Sequence, residues 1–306
     1  MRVTLHVGLH FAGAPRLIAG LRANNPAFEA GGTFVPRQKE YRAPVADILQ
    51  KLDGLPPIEA EQIELLSQIL KNRKTSHLLM SDVLWAGALD AAFSEGRLYA
   101  DLGVNVARVA ELFDTSDVRI AISLRDPVGF VSDALSTPEL AGKMTPFLRN
   151  CDTATLGWEQ GLQELRAALP TSSIVAWREE DAPLIWPRVL RELGRLPRDA
   201  PVARSYAPLR QILSAKGMRQ LFGEVASTPP VDDIAFENLV RRFLAEFAVP
   251  DNLPDRPVGS VNIPGWSQEA YHGITQRYWA QTAAFGKEEG VTFIAPLSEG
   301  EDSEGA

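Results

Sequence analysis

The chain has 306 residues, of which 45% are hydrophobic and 23% are charged, with a formal net charge of -8 at pH 7. These values fit a globular protein of one large domain or two modest ones. The negative charge argues against general nucleic-acid binding, because phosphate contacts need a surplus of lysine and arginine. A single cysteine excludes an internal disulfide. Neither a secretory signal nor an apolar run of roughly 20 residues is evident, so we expect a cytoplasmic protein without a membrane span.

Four short apolar runs predict buried strands, at residues 2–8, 77–81, 118–125 and 173–177. The third run is almost continuously apolar, which is typical of a strand that is covered on both faces. Segments with helical periodicity separate the runs. This alternation predicts a three-layer α/β domain with a mainly parallel central sheet and flanking helices.

Amphipathic periodicity predicts the helices. In residues 59–72 one stripe carries Ile63, Leu66, Ile69 and Leu70. A second stripe, in residues 237–248, carries Leu239, Val240, Phe243, Leu244 and Phe247. The last helix is predicted to begin after Ser267 as its N-cap, with Glu269 in the first turn.

The strand signal fades from about residue 182, and helices dominate the C-terminal half. Proline clusters there look like turns between helices rather than a linker. We therefore expect a single domain over residues 1–290. Residues 291–306 are expected to form a C-terminal segment that ends in a disordered acidic tail.

The opening stretch LHVGLHFAGAPRLIAGL, residues 5–21, has the layout of an anion-binding loop. A strand that leads through a tight loop into a helix presents backbone N–H groups and a helix N-terminus to an anion. The pattern is equally compatible with a plain strand–loop–helix turn in which Gly13 supplies backbone freedom. It lacks the Gly-Lys-Ser/Thr end of a Walker loop and the glycine spacing of a Rossmann fingerprint.

The same stretch resembles the start of the sulfotransferase family, whose bacterial members carry His-x-Gly-Leu-His-Lys-Thr-Gly-Thr-Thr after the first strand. The matching residues are His6, Gly8, Leu9, His10 and Gly13. The segment RIAISLRDPVGFVSDAL resembles the family's second signature through Arg125, Asp126 and Pro127. The segment RPVGSVNIPGWSQEAYHGI is similar to the family's C-terminal motif at Val261, Asn262, Ser267, Glu269 and Ala270. The resemblance extends over roughly residues 1–285.

The resemblance implies a P-loop-type fold and a cofactor, PAPS (3′-phosphoadenosine 5′-phosphosulfate), from which a sulfuryl group passes to a hydroxyl of a carbohydrate, lipid or small metabolite. It implies that Gly8, Gly13 and Ala14 bind the 5′-phosphosulfate side. Arg125 matches the arginine that holds the 3′-phosphate together with a serine eight residues further on. Here the eighth residue is Asp133, so Ser132 would serve only if the helix is shifted by one residue.

Sulfuryl transfer also needs a base within hydrogen-bond reach of the acceptor hydroxyl. Ser81 and Asp82 follow a predicted strand where the bacterial relatives often have Ser-Glu, so the resemblance makes Asp82 the candidate base. The alternative is that Asp82 caps the next helix. His10 matches a loop residue that could face a ligand, whereas His6 is expected to be a hydrogen-bonded interior histidine.

The loop departs from the family at its lysine, which is replaced by Phe11. An apolar ring cannot neutralise a phosphosulfate or stabilise the leaving group. Pro15 also lacks the N–H of a threonine at that position. Arg16, one residue past the loop, is a candidate to turn back toward the anion, although a solvated position is the usual fate of such an arginine. The same applies to Arg37 and Lys39.

Two hypotheses stay open at this point. The first is a PAPS-dependent sulfotransferase. The second is a catalytically inactive protein on the same scaffold, whose cleft, lined by Phe11 and Pro15, takes a less charged ligand or a partner protein. The four scattered histidines and one cysteine do not suggest a metal site.

Overall fold

A parallel six-stranded sheet is the central element of the computed structural model, which describes residues 1–94, 96–253 and 262–297. The strands are β1 (Arg2–His6), β2 (Thr33–Phe34), β3 (His77–Ser81), β4 (Phe93–Ser94), β5 (Arg97–Leu98), β6 (Asp117–Leu124), β7 (Ser173–Arg178) and β8 (Val291–Ile294). The large sheet has the order β2-β3-β1-β6-β7-β8, and β4 and β5 form a separate antiparallel pair.

Helices connect the strands and make up most of the C-terminal half. The α-helices are α1 (Ala14–Ala23), α2 (Asn25–Ala30), α3 (Gln38–Leu52), α4 (Glu59–Leu70), α5 (Leu102–Glu111), α6 (Pro127–Leu135), α7 (Ala141–Asn150), α8 (Glu159–Ala168), α9 (Ala182–Gly194), α10 (Leu209–Ile212), α11 (Ala215–Ser227), α12 (Asp233–Phe247) and α13 (Gln268–Phe285). None of the described helices combines the length and the apolar character needed to cross a lipid bilayer.

Helices cover both faces of the sheet, so the fold has three layers. Successive side chains of a strand point to opposite faces. In β3, Leu78 and Met80 join a core shared with α3, α4, α5, α6, α8 and α13, whereas Leu79 joins a second core shared with α1, α2 and α9. The same alternation in β6 sends Ile120 to the first core and Ala121 to the second. The predicted α/β class with a parallel sheet is confirmed.

The four strands predicted from apolar runs are all present, with ends that differ by at most two residues. β2 and β8 were not predicted, because two and four residues are too few to establish a period. Residues 291–294, which sequence analysis leaves outside the domain, form the edge strand β8 beside β7. The predicted acidic tail, residues 298–306, and Val261 lie outside the described residues.

The predicted apolar stripe of α4 is partly wrong. The buried residues of this helix are Gln62, Leu65 and Ile69, whereas Ile63 is 55% exposed. Gln62 can lie on the inner face because its side-chain amide donates to the carbonyl of Glu111 at 2.7 Å. Because Gln62 is buried with a hydrogen-bond partner, the inner face of α4 is rotated away from the stripe that hydropathy alone predicts.

Helices α10, α11 and α12 enclose a third apolar cluster, and α12 packs against α9. In α12, Leu239, Val240 and Phe243 are buried as predicted. Ser267 caps α13, its hydroxyl accepting the N–H of Ala270 at 3.2 Å, and Glu269 lies in the first turn. Both predictions for this helix are confirmed.

The parallel strands place the loops after β1, β3, β6 and β7 at one edge of the sheet. From β1 the chain leads toward β2 and β3 on one side, and from β3 it continues to β6 on the other. A reversal of this kind leaves a crevice at the carboxyl ends of the strands, where open α/β sheets bind ligands.

Candidate functional site

The loop between β1 and α1 is held in one conformation by its neighbours. Gly8 and Phe11 have φ angles of +105° and +57°. A Cβ on Gly8 would lie 2.9 Å from a methyl carbon of Val83, so only glycine fits there. The Ser123 hydroxyl lies 3.0 Å from both the Gly8 and the Ala12 carbonyl oxygens. Ser123, near the C-terminal end of β6, was not predicted from sequence.

A buried carboxylate of the chain occupies the place where this loop would hold an anion. A Cβ built on Gly13, the N-cap of α1, would lie 2.6 Å and 2.8 Å from the two carboxylate oxygens of Glu179. The positive end of the helix dipole thus faces a fixed negative charge. Burial raises the pKa of Glu179, and the nearby charge of Arg16 opposes that increase.

Arg16 turns back over the loop and forms an ion pair with Glu179. Its guanidinium also lies over the ring of Trp186, 5.3 Å from the ring centroid. The Arg16 side chain is 17% exposed, so the expectation of a solvated position is wrong. The attraction of a buried carboxylate for a nearby cation explains the difference. Arg37 and Lys39 are exposed, as expected.

Arg125, at the end of β6, is also paired with a carboxylate. Its Nη1 donates to the Phe11 carbonyl oxygen at 2.7 Å and forms an ion pair with Asp133. The eighth residue after the arginine therefore faces it, and α6 is not shifted to bring Ser132 into that place. The Ser132 hydroxyl makes no hydrogen bond with the described residues.

Asp82 is a structural cap. Its Oδ1 accepts the backbone N–H of Leu84 at 3.2 Å, which begins the short 3-10 turn Val83–Trp85. Arg42 approaches both carboxylate oxygens, with Nε at 2.6 Å and Nη2 at 3.1 Å. Only 2% of the Asp82 side chain is exposed. The capping alternative is confirmed, and Asp82 is not among the residues that line the cleft described below.

His10 is fixed by Tyr99. The Tyr99 hydroxyl accepts the backbone N–H of His10 at 3.0 Å and lies 2.5 Å from the ring Nδ1. The hydroxyl has one proton, and no other acceptor among the described residues is within hydrogen-bond reach. Because the described residues offer that proton no other acceptor, we assign it to Nδ1 and the ring proton to Nε2. Burial lowers the pKa of His10, against the opposing charge of Asp82, so the ring is neutral near pH 7.

His6 is an interior residue, as predicted. It is fully buried, its Nδ1 is 2.8 Å from the Ser81 hydroxyl, and its ring stacks on Trp177. Burial lowers the pKa of His6 to about 3. The Ser81 carbonyl accepts from the Tyr41 hydroxyl at 2.6 Å and from the Gln38 amide at 3.0 Å. These bonds support the wall between the sheet and α3.

A cleft of about 540 Å³ opens beside the loop. It is lined by His10, Phe11, Gly13, Ala14, Pro15, Ile18, Gln38, Arg42, Ser81 and Val83. The loop, α1, α3 and the turn after β3 all contribute, so the cleft lies at the edge of the sheet where the topology predicts a ligand. The sequence-predicted residues His10, Gly13 and Ala14 come together here, whereas Arg125 and Ser132 do not line it.

A second polar cluster joins the ends of β6 and β7 to α13. Glu180 accepts the backbone N–H of Asp126 at 2.9 Å and the hydroxyl of Tyr278 at 2.6 Å. Asp126 in turn caps α6 and accepts the Thr275 hydroxyl at 2.6 Å. Burial raises the pKa of Glu180 to about 7. The Arg-Asp-Pro segment thus contributes to structure through Asp126, and sequence analysis missed Glu180 because it sits in a short acidic run.

No protein-family model matches the chain, and no curated protein is similar enough to count as a relative. The resemblance to the sulfotransferase family therefore depends on the three sequence segments in which it was found.

Proposed function

We propose that the chain is a small-molecule-binding protein on a sulfotransferase-like scaffold and that it does not transfer sulfuryl groups from PAPS. The observation that carries this proposal is the pairing of two cations with carboxylates of the chain itself. Glu179, at the end of β7, forms an ion pair with Arg16 beside the loop, and Asp133 forms an ion pair with Arg125. By the resemblance, these are the two places that would hold the nucleotide's phosphate groups.

Electrostatics gives the reason why such a pair excludes a nucleotide. Two like charges about 4 Å apart repel each other by about 4 kcal/mol at the effective dielectric constant near a protein surface. A phosphosulfate on the loop would meet Glu179, and a 3′-phosphate beside Arg125 would meet Asp133. Moving Glu179 away would take a buried carboxylate from its cation, which costs several kcal/mol more.

One observation favours the competing sulfotransferase hypothesis. Arg16 bends back toward the loop, so a cation is present near the position that Phe11 leaves uncharged. To neutralise a phosphosulfate, however, Arg16 would have to release Glu179. Asp82, the base that the resemblance offers, is also buried under Arg42.

The test is calorimetric titration with adenosine 3′,5′-bisphosphate at low salt. We expect no binding at millimolar nucleotide for the natural chain. In the double variant Glu179→Gln, Asp133→Ser we expect measurable affinity, because both repulsive charges are removed. Glu64→Gln, an exposed glutamate on α4, is the matched control and should bind no nucleotide.

Micromolar binding by the natural chain that disappears in Arg125→Ala would refute the proposal and support the enzyme. A double variant that folds but still binds nothing would show that the two carboxylates are not what excludes the nucleotide.

A further inference from the structure

We propose that the cleft beside the β1–α1 loop binds an uncharged compound that combines an apolar body with a carbonyl-type hydrogen-bond acceptor, and that His10 Nε2–H donates to that acceptor. This inference rests on the proposed function and specifies the class of ligand. It follows from three properties of the lining: its paired charge, its apolar wall and a donor that Tyr99 holds in place.

The one charged side chain of the lining, Arg42, is neutralised by a carboxylate that lies outside the lining. Both carboxylate oxygens of Asp82 accept hydrogen bonds from the Arg42 guanidinium. His10 is neutral near pH 7 because of burial. An anionic ligand would find a cation that is already paired, and a cationic ligand would find no free carboxylate among the residues that line the cleft. Charge complementarity thus favours an uncharged occupant.

The wall of the cleft is apolar on the side of α1 and the loop. Phe11 takes the place where the sulfotransferase resemblance expects a lysine, and its ring packs against Phe130 with centroids 5.3 Å apart. Pro15 and Ile18 continue the wall along α1, and Val83 closes it from the turn after β3. Small-molecule sites have this composition, with few polar groups that set the orientation.

The fixed donor is the ring nitrogen of His10. Because the Tyr99 hydroxyl donates to Nδ1, the other ring nitrogen carries the proton, and no described residue accepts from it. A ligand carbonyl can satisfy that donor without bringing a charge into the cleft. Tyr99 acts as a positioning residue, since it sets the tautomer without lining the cleft.

Three probes of similar size separate the contributions: acetophenone has the acceptor, ethylbenzene lacks it, and benzoate adds a negative charge. Affinities are measured by ligand-observed NMR, and binding is located from the imidazole nitrogen shifts of histidine-labelled protein. We expect acetophenone to bind roughly 3- to 10-fold more tightly than ethylbenzene, as one neutral hydrogen bond provides. Benzoate should bind more weakly than acetophenone.

In His10→Ala the preference for acetophenone over ethylbenzene should disappear, while ethylbenzene itself still binds. In Tyr99→Phe the preference should fall, because the ring is no longer held with its proton on Nε2. Lys39→Ala, an exposed residue outside the lining, is the control and should keep the natural preference. A variant that has lost its fold should bind neither ligand, whereas one that has lost only the hydrogen bond should still bind ethylbenzene.

Equal affinities for acetophenone and ethylbenzene, tighter binding of benzoate, or shifts that leave His10 unchanged would each overturn the inference. The proposed function fails by a different result, namely binding of adenosine 3′,5′-bisphosphate by the natural chain. The two failures are therefore distinguishable in the same protein preparation.

Discussion

The Glu180 carboxyl makes the stability of this fold depend on pH in a way that one substitution can isolate. Burial raises its pKa to about 7 from the ordinary value of 4.5. The folded state therefore binds more protons than the unfolded state between these two values. Stability from this group is fully present below about pH 4.5 and is lost as the pH rises through about 7.

The size of the effect follows from the shift. About 2.5 pKa units correspond to about 3.4 kcal/mol at 1.36 kcal/mol per unit. Glu180 keeps partial contact with solvent, which screens the charge, so we expect about 2–3 kcal/mol. In Glu180→Gln the group no longer titrates. Its amide oxygen can still accept the Asp126 N–H, and the Tyr278 hydroxyl can accept from its amide nitrogen.

The assay is urea unfolding of both proteins at several pH values from 5 to 8. From pH 5 to pH 8 the free energy of unfolding should fall by about 2–3 kcal/mol more in the natural chain than in Glu180→Gln. Other titrating groups, including Glu179 and Glu237, are present in both proteins and cancel in the difference. Parallel stability curves, within about 0.5 kcal/mol, would refute the reasoning.

Three further substitutions test other parts of the site. Arg16→Ala leaves a buried carboxylate without its cation and should lower the free energy of unfolding by about 3 kcal/mol in urea titrations. Gly8→Ala forces a Cβ into a neighbouring valine at positive φ and should cost about 2 kcal/mol in the same assay. Tyr99→Phe should shift His10 toward a mixture of tautomers, which long-range proton–nitrogen spectra of labelled histidine detect directly.

Each of these expectations has a contradicting outcome. A loss below about 1 kcal/mol in Arg16→Ala would mean that the pair is as weak as an exposed one. Gly142→Ala is the control for Gly8→Ala, since nothing lies within 4 Å of the added methyl group, and similar losses in both would remove the steric argument. An unchanged imidazole spectrum in Tyr99→Phe would show that the hydroxyl does not set the tautomer.

The layered fold could be predicted from sequence because its signals are local. The run in β6 is apolar over enough residues to identify a buried strand, and Ser267 caps α13 through a hydroxyl three residues away from its partner. The strand β8 was not predicted because its four residues are too few to show a periodic pattern. The inner face of α4 was misjudged because the partner of Gln62 lies 49 residues away in the chain.

The site could be predicted only in part, for the same physical reason. His10 and Gly13 lie in one loop, so the sequence brings them together. The Glu179 carboxylate reaches Gly13 from the end of β7, far along the chain, and sequence alone does not distinguish an acidic residue in an acidic run from a solvated one. The replacement of the expected serine by Asp133 was visible as a spacing, and the structure adds that this carboxylate forms an ion pair with Arg125.

The position of β1 has a consequence for how the chain folds during synthesis. This strand is made before β3 and β6, yet it pairs with both of them, β3 on one side and β6 on the other. Roughly 110 residues must follow β1 before β6 begins, which takes about 5–20 s at ribosomal rates. Throughout that time β1 has at least one unpaired edge. A chaperone that shields β1 during synthesis should therefore raise the yield of folded protein more than one that acts after release.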